Sequence, residues 1–252
     1  MKRAAVIFLG MLLVGGSLGA KASFAQASST DTKGTNTSTD KGSQSAEASS
    51  VAVLNQAGDL VRYARQTESP VAMLAAVQMI NRVRYQDGAQ RVGTKKSDEN
   101  KGGSESAPAS AQAKERPAVT FDTQKLLAEA KGWAQGNPQL LALISAEAAK
   151  HPTTTLGASS GAIVHHDTVL SRHYDDYTIT FTGHELARVA VIGDGGTDLD
   201  LYIYDQNGNL ITSDTDYTDQ CLVEFTPIWT GPFRVRVVNN GYYANNYVLL
   251  TN

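Results

Sequence analysis

The chain has 252 residues with a formal net charge of −3, and 41% of them are hydrophobic, which is enough for one or two folded domains. Cys221 is the only cysteine, so no disulfide can form within one chain. From residue 175 to 252 there are nine Asp and two Glu against three Arg and no Lys. Such an acidic segment repels phosphate backbones, which disfavours nucleic acid as a partner.

Residues 1–25 have the pattern of a secretory signal peptide. Lys2 opens a basic start, an apolar run follows over 4–20, and Ser23 and Ala25 are small residues that suit a signal peptidase. The run is short for a membrane span, and no later stretch is long enough to cross a bilayer. We therefore expect an exported protein, periplasmic or secreted, with no membrane span after cleavage. The alternative is an uncleaved membrane anchor.

Residues 26–50 are rich in Ser, Thr, Asp, Lys and Gly, which predicts a disordered spacer. Residues 51–150 carry helical periodicity, interrupted at about 86–117 by a mixed stretch that we predict to be a flexible linker. Ser69-Pro70 and Asn137-Pro138 each place a capping residue before a proline at the first helical position. These signals predict two helical hairpins, so this region is expected to be all-α.

Residues 151–173 lose the helical period and are predicted to be a linker. His165, His166 and His173 lie near its end, beside several carboxylates. One interpretation is a zinc site, and with it an enzyme. The histidine spacing fits neither the helix-borne nor the paired-cysteine patterns of zinc sites, so we prefer a solvated linker.

Residues 174–252 alternate between apolar and polar side chains in short segments separated by turns. Leu199, Leu201 and Ile203 fall on one face of such a segment, which is the period of a half-buried strand. Asn207-Gly208 is typical of a hairpin turn, because both residues tolerate a positive φ. Short strands at regular spacing predict a β-sandwich.

Several motifs of this segment together resemble the bacterial pre-peptidase C-terminal domain, over about residues 176–252. The motifs are Thr197 to Asp205, Asn207-Gly208-Asn209-Leu210, Ser213-Asp214, Thr226-Pro227, Trp229-Thr230-Gly231 and Phe233 to Val237. The resemblance implies an antiparallel, jelly-roll-like β-sandwich of the kind appended to secreted peptidases and collagenases, where related modules bind substrate or calcium. The predicted fold class is therefore α+β multidomain, with N-terminal helical hairpins and a C-terminal sandwich.

The sequence contains no His-Glu-x-x-His or Gly-x-Ser-x-Gly motif, and no catalytic domain precedes the sandwich. The resemblance therefore implies a binding role and not proteolysis, and we predict that the protein is not an enzyme.

Two groups of carboxylates are the candidate metal ligands. They are Asp194, Asp198 and Asp200 at the start of one strand, and Asp214, Asp216 and Asp219 in the loop after the next hairpin. Carboxylates on loops suit Ca²⁺, which accepts six to eight oxygens without strict geometry. Neighbouring carboxylates repel by roughly 1–3 kcal/mol, and a bound cation would remove that cost. The alternative is that these residues cap turns and keep the surface soluble.

Four tyrosines are the candidate ligand-binding residues. Tyr202 and Tyr204 share the outward face of their strand with two of the carboxylates, and Tyr242 and Tyr243 lie in a turn. Exposed aromatic side chains beside polar groups suit sugars or peptides. The alternative is that they only pack on a sheet surface.

The sequence thus predicts an exported, non-catalytic binding protein whose sandwich holds an extracellular or envelope polymer or partner protein, with Ca²⁺ as the one candidate cofactor. The alternative is a structural or envelope assembly factor, in which the helical hairpins bind a partner and the sandwich stabilises or solubilises the chain.

Overall fold

The computed structural model describes residues 34–88, 92–96, 116–150 and 161–252. These residues belong to one compact unit, Gly34–Asn252. The predicted signal peptide, the first part of the predicted spacer and most of the predicted flexible linker lie outside the described residues. Within the described residues, no helix is long and apolar enough to cross a membrane.

Four helices are described: α1 (Ala46–Thr67), α2 (Pro70–Ile80), α3 (Thr123–Trp133) and α4 (Pro138–Ala148). Each begins after a side chain that accepts a hydrogen bond from the first turn, which satisfies an otherwise unpaired amide. The capping residues are Ser45, Ser69, Asp122 and Asn137. The two cap-then-proline signals are therefore confirmed.

Ten strands are described: β1 (Tyr85–Asp87), β2 (Gly93–Lys96), β3 (Ala162–Val169), β4 (His173–Phe181), β5 (Ala187–Ile192), β6 (Leu199–Tyr204), β7 (Leu210–Asp214), β8 (Gln220–Phe225), β9 (Gly231–Asn239) and β10 (Asn245–Thr251). The first sheet has the order β1-β3-β10-β5-β8, and the second has the order β2-β4-β9-β6-β7. All pairs are antiparallel except β1 with β3. The α+β class with a sandwich is confirmed.

The inner faces of the two sheets form one hydrophobic core. Leu199, Leu201 and Ile203 are fully buried there, as their alternation predicts. Phe181 and Phe233 belong to the same core and meet at a ring-centroid distance of 5.7 Å with nearly perpendicular planes. Such edge-to-face contacts are the favoured aromatic geometry and stabilise the sandwich interior.

The helices pack on the outer face of the first sheet and form a second core. Leu54 and Val61 of α1 share this core with Ile192 of β5 and Val248 of β10. All six residues of β5 are buried, because the strand is covered on both faces. The described chain is thus three layers deep, with helices, first sheet and second sheet in that order.

The structure differs from the sequence prediction at three places. Residues 162–169 lie in the predicted linker but form β3, which pairs with β10 and β1. The predicted flexible stretch contributes β2 and part of β1. The predicted spacer contains the first residues of α1 and two isolated bridges, Ser38 with Thr226 and Ser43 with Glu185. The strands and bridges at these places pair with segments that are remote in sequence, so no local pattern predicts them.

Candidate functional site

Alternation along three neighbouring strands of the second sheet places tyrosines and arginines on its outer face. Tyr202 of β6 is opposite Arg236 of β9, and Tyr204 is opposite Arg234. Tyr174 of β4 lies one strand further along. We call these five residues the tyrosine–arginine face. Since the inner face of this sheet packs on the first sheet, the tyrosine–arginine face points away from the helices.

The rings and guanidinium groups of this face are interleaved. Arg236 Cζ lies 3.7 Å from the Tyr174 ring centroid and 5.9 Å from that of Tyr204, and Arg234 Cζ lies 4.4 Å from the Tyr204 centroid. The rings of Tyr202 and Tyr204 are 6.4 Å apart and nearly parallel, with planes inclined by 20°. Cation–π contacts of this kind are worth about 0.5–1 kcal/mol each when partly exposed. They hold the aromatic rings in one arrangement before any ligand arrives.

Asp176 fixes Arg236 from the same face. It accepts two hydrogen bonds from the guanidinium, from Nε and Nη2, each 2.8 Å long. These bonds raise the pKa of Arg236, so the group stays cationic. The three tyrosines and Arg236 are partly exposed and Arg234 is exposed, so the face combines flat apolar rings with donors that a ligand can reach.

The two acidic groups meet at one end of the sandwich. Asp219, from the second group, accepts a hydrogen bond from the backbone N–H of Gly195, next to Asp194. Burial and the charge of Asp200 raise the pKa of Asp198, and Asp216 and Asp219 raise it further. The carboxylates therefore influence one another, as the sequence predicts from their number.

Most of these carboxylates already have donors. Asp194 Oδ2 accepts hydrogen bonds from the backbone and side-chain N–H groups of Asn246, at 3.0 and 3.1 Å. Asp200 Oδ2 accepts one from Asn240 at 2.8 Å. Asp219 Oδ1 lies 2.9 Å from the Arg62 guanidinium of α1. Arginine and asparagine side chains therefore relieve part of the repulsion that a cation would relieve.

Asp198 Oδ2 accepts a long hydrogen bond from Asn240 at 3.5 Å. The last two candidates, Asp214 and Asp216, bond groups of the β7–β8 connection and of β8. Asp214 Oδ2 accepts a hydrogen bond from the Leu222 N–H, and Asp216 Oδ1 accepts from the N–H and hydroxyl of Thr218. In the part of the chain that the structure describes, no three His, Cys, Asp or Glu residues converge closely enough to hold a metal ion. The acidic residues fit a calcium cage only in part, and Ca²⁺ binding stays a prediction.

The four candidate tyrosines occupy two separate parts of the sandwich. Tyr202 and Tyr204 lie on the strand face described above, whereas Tyr242 and Tyr243 are exposed in the β9–β10 turn. The Arg172 guanidinium lies 4.5 Å from the Tyr242 ring centroid. Tyr202 and Tyr204 belong to the tyrosine–arginine face, together with Tyr174, Arg234 and Arg236. Tyr242 and Tyr243 do not take part in the ring contacts of that face.

Sequence reasoning missed Tyr174, Asp176, Arg234 and Arg236 as site residues. The signal that could have found the arginines is the alternation of Phe233, Val235 and Val237 with Arg234 and Arg236, which puts both arginines on the face opposite the apolar residues. What it could not supply was the order of the strands, since β9 lies between β4 and β6 although it follows both in sequence.

The histidines considered for zinc lie in different surroundings. His165 is buried, with its ring centroid 5.1 Å from that of Tyr177. His173 Nδ1 lies 2.7 Å from the carbonyl oxygen of Ser171, and His166 is exposed. Each side chain therefore has a local role or faces solvent.

No protein-family model matches this chain. No curated protein matches it either. Among solved structures, it is similar to the pre-peptidase C-terminal domain of a collagenase from Bacillus anthracis, at 13% identity and a TM-score of 0.30, over 35% of this chain and 87% of that chain. It is also similar to the C-terminal CBM6 of LamC, a marine laminarinase from Zobellia galactanivorans. That similarity has 10% identity and a TM-score of 0.23, over 32% of this chain and 73% of that chain.

The first of these is a domain of the kind that the C-terminal motifs resemble. A third similar structure, a de novo designed double-stranded β-helix, has 15% identity and a TM-score of 0.24, over 35% of this chain and 97% of that chain. TM-scores this low support no argument about ligand or activity. The sandwich assignment rests on the strands themselves.

Proposed function

We propose that this protein is an exported, non-catalytic binding protein that holds a polysaccharide chain on the tyrosine–arginine face. The observation that carries the proposal is the interleaving of Tyr174, Arg236, Tyr204 and Arg234 on one partly exposed sheet surface. Sugar rings present an apolar face that packs on tyrosine rings, and their hydroxyls accept hydrogen bonds from guanidinium groups.

Preorganisation supports a binding role for this surface. Asp176 and the cation–π contacts restrict the rotamers of Arg236 and of the rings beside it. Immobilising a rotamer-rich side chain on binding costs about 0.5–1.5 kcal/mol. Because these side chains are already restricted in the free protein, a ligand that binds here pays less of that entropy. The lack of protease and hydrolase motifs in the sequence supports a non-catalytic role.

The alternative, an assembly factor whose helices bind a partner, has less support. The apolar stripe of α1 is buried against the first sheet and that of α2 against α1 and α3, so neither is available to a partner helix. Export rests on the first 25 residues, which lie outside the described residues. Mass determination of the mature N-terminus after expression in a bacterium would test it.

The binding proposal is tested by retention of the full chain on a panel of insoluble polysaccharides, including cellulose, chitin and a β-1,3-glucan. We expect retention on at least one, and we expect the double variant Tyr202→Ala/Tyr204→Ala to weaken it at least about tenfold, since stacked aromatics are typical binding hot spots. Tyr217→Ala is the matched control, because this side chain is 97% exposed and lies in the β7–β8 loop. Retention that is equal for the double variant and the control would contradict the proposal, as would no retention on any polymer.

A further inference from the structure

The outer face of the second sheet collects positive charge, although the C-terminal part of the chain is acidic. Residues 175–252 contain only three arginines, and two of them, Arg234 and Arg236, lie on this face. Lys95 of β2 adds a third cation, because it is the cross-strand partner of Tyr174 and such partners share a face. Lys95 and Arg234 are exposed, so both charges can be reached by a ligand.

Two carboxylates lie on the same face, and both already have donors. Asp176 accepts hydrogen bonds from Arg236. Asp200 is only 8% exposed and accepts from the Asn240 side chain at 2.8 Å and from the Tyr202 hydroxyl at 3.1 Å. Among the residues that the structure describes, the two exposed cations of the face form no ion pair. Their charge is therefore available to an anionic ligand.

Arg236 shows how this face holds a carboxylate. Its cross-strand partner on β4 is Asp176, which takes two hydrogen bonds of 2.8 Å from Nε and Nη2. Arg234 lies two residues away on the same strand, and its partner on β4 is Thr178, an exposed residue without charge. The Tyr204 ring positions the Arg234 guanidinium, with 4.4 Å between Cζ and the ring centroid. Arg234 thus offers the same planar fork of donors to a carboxylate that comes from outside the chain.

The two exposed cations are far apart, which favours a polymer over a single sugar. Lys95 lies in the row of Tyr174 and Val238, two strands away from β9, and Arg234 lies four residues further along β9. Ordinary strand spacings place the two Cα atoms roughly 16 Å apart. Tyr174 and Arg236 lie between them, so a ligand that contacts both cations also crosses a ring and a second guanidinium.

We infer that the polysaccharide held on this face is acidic, with carboxylates on its sugar units; the inference rests on the proposed function. Sugar rings pack on Tyr174 and Tyr204, one carboxylate accepts hydrogen bonds from Arg234, and another meets Lys95. A neutral glucan would gain the ring contacts but would leave both cations without a counter-charge.

The acidic groups at one end of the sandwich act only weakly on Arg234. This residue lies five positions before Asn239, the end of β9 that is nearest to those groups, which is roughly 17 Å along a strand. Physiological salt largely screens exposed charges that are more than about 8 Å apart. The local positive charge therefore decides which polymer binds.

The experiment compares two soluble polymers that differ in charge, polygalacturonate and its methyl ester, by biolayer interferometry with the immobilised full chain in EDTA. At low salt we expect polygalacturonate to bind at least about tenfold more tightly, and added NaCl should shrink the difference because exposed ion pairs are screened. Equal affinities, or no binding of polygalacturonate, would overturn the acidic ligand. The proposed function stands in either case if a neutral polysaccharide is retained, and it fails separately if none is.

The EDTA excludes a different origin of the same preference. Ca²⁺ could bridge the polymer carboxylates to the acidic groups at the end of the sandwich. Binding of polygalacturonate that appears only when Ca²⁺ replaces EDTA would place the polymer there and overturn the assignment to this face.

Variants assign the preference to the two exposed cations. The double variant Lys95→Gln/Arg234→Gln should bring the affinities for the two polymers within about twofold of each other. Arg234→Lys keeps the charge without the planar fork and should retain part of the preference. Lys131→Gln is the matched control, because this exposed lysine lies on α3 in the helical layer, and it should leave the preference unchanged. A double variant with the full preference would overturn the inference.

Discussion

The hydroxyl oxygens of Tyr177 and Tyr247 lie 2.7 Å apart inside the sandwich, and they join strands of different sheets. Tyr177 donates to Asp167 Oδ2 and Tyr247 donates to Asp175 Oδ2, both at 2.9 Å. The network connects β3 and β10 of the first sheet with β4 of the second. Polar groups this deep are tolerated because each has a partner.

Replacing these tyrosines with phenylalanine should destabilise the fold unequally. Tyr247→Phe removes a donor from Asp175, which is fully buried, whereas Tyr177→Phe removes one from Asp167, which is partly exposed. We expect Tyr247→Phe to cost about 1–3 kcal/mol in the free energy of unfolding and Tyr177→Phe to cost less. Urea unfolding measures both, with Tyr217→Phe as the exposed control. Equal effects of the three changes would show that the network does not stabilise the fold.

The same two phenols predict a loss of stability at alkaline pH. Burial raises the pKa of both above the ordinary value of 10.0. A group whose pKa is raised on folding contributes its full stabilisation below the unfolded value and loses it as the pH rises through the folded value. We therefore expect the melting temperature to begin falling above about pH 10, and to fall less steeply in Tyr247→Phe. An identical slope in wild type and variant would argue against this origin.

The segment before α1 is fastened to the sandwich by Asn36, which is fully buried. Its Oδ1 accepts hydrogen bonds from the Ile228 and Trp229 N–H groups, at 2.9 and 3.0 Å, and its Nδ2 donates to the Trp229 carbonyl at 3.0 Å. Its backbone N–H donates to Asp205 Oδ2. Asn36→Ala leaves partly buried backbone groups of Ile228 and Trp229 without their partners, so we expect a loss of about 1–3 kcal/mol.

Chemical denaturation measures that loss. Limited proteolysis should cut the variant sooner than wild type at sites that precede residue 46. Asn207→Ala is the comparison, because its side chain makes one exposed bond to the Gly34 carbonyl. Burial alone would raise the pKa of Asp205, but hydrogen bonds from Asn209, Asn36 and Asn207 outweigh it and lower the pKa. This contribution to stability should be present at neutral pH and be lost as the pH falls below 3.8. If Asn36→Ala resists protease as well as wild type does, the segment is held by other contacts.

Arg62 occupies the place that the sequence-based prediction gives to a cation. Replacing it with methionine keeps the apolar stem but leaves Asp219, which is only 4% exposed, without its ion-pair partner. We expect Arg62→Met to cost about 3 kcal/mol, and Ca²⁺ added after EDTA to raise the melting temperature of the variant more than that of wild type. Differential scanning calorimetry gives both values, with MgCl₂ as the ionic-strength control.

The sequence alone predicts that Ca²⁺ also raises the melting temperature of the wild-type protein. A wild-type melt that Ca²⁺ does not change would contradict that prediction and leave Arg62 as the compensating charge. If Ca²⁺ affects neither protein, the acidic groups do not hold calcium in either form.

The sequence was informative wherever the deciding interaction is local. Alternation placed Leu201 inside and Tyr202 outside, and the Ser69-Pro70 pair placed the start of α2. The ion pair of Arg62 with Asp219 could not be predicted, because it joins a helix to a strand loop across most of the chain. β3 was missed for the same reason, since polar residues such as His166 hide its pattern and its pairing is remote.

The final prediction follows from the hydrophobic core that the helices share with the first sheet. Ile192, Val248 and Leu250 face Leu54 and its neighbours, so a fragment of residues 161–252 would expose that whole surface. Burying one large aliphatic side chain is worth about 1.5–3 kcal/mol, and a domain has only about 5–15 kcal/mol in total. We expect the fragment to show no cooperative thermal transition, in contrast to residues 34–252.

A substitution in the intact chain tests the same coupling without truncation. Trp133 and Trp229 are the only tryptophans, so in a Trp133→Phe background the fluorescence of Trp229 follows the sandwich alone. Leu54→Ala in α1 should cost about 2–5 kcal/mol and lower the urea midpoint seen by Trp229, because helices and sheets unfold together. The exposed change Tyr63→Ala in the same helix is the control. A Trp229 midpoint that Leu54→Ala leaves unchanged would mean that the sandwich folds as an independent domain.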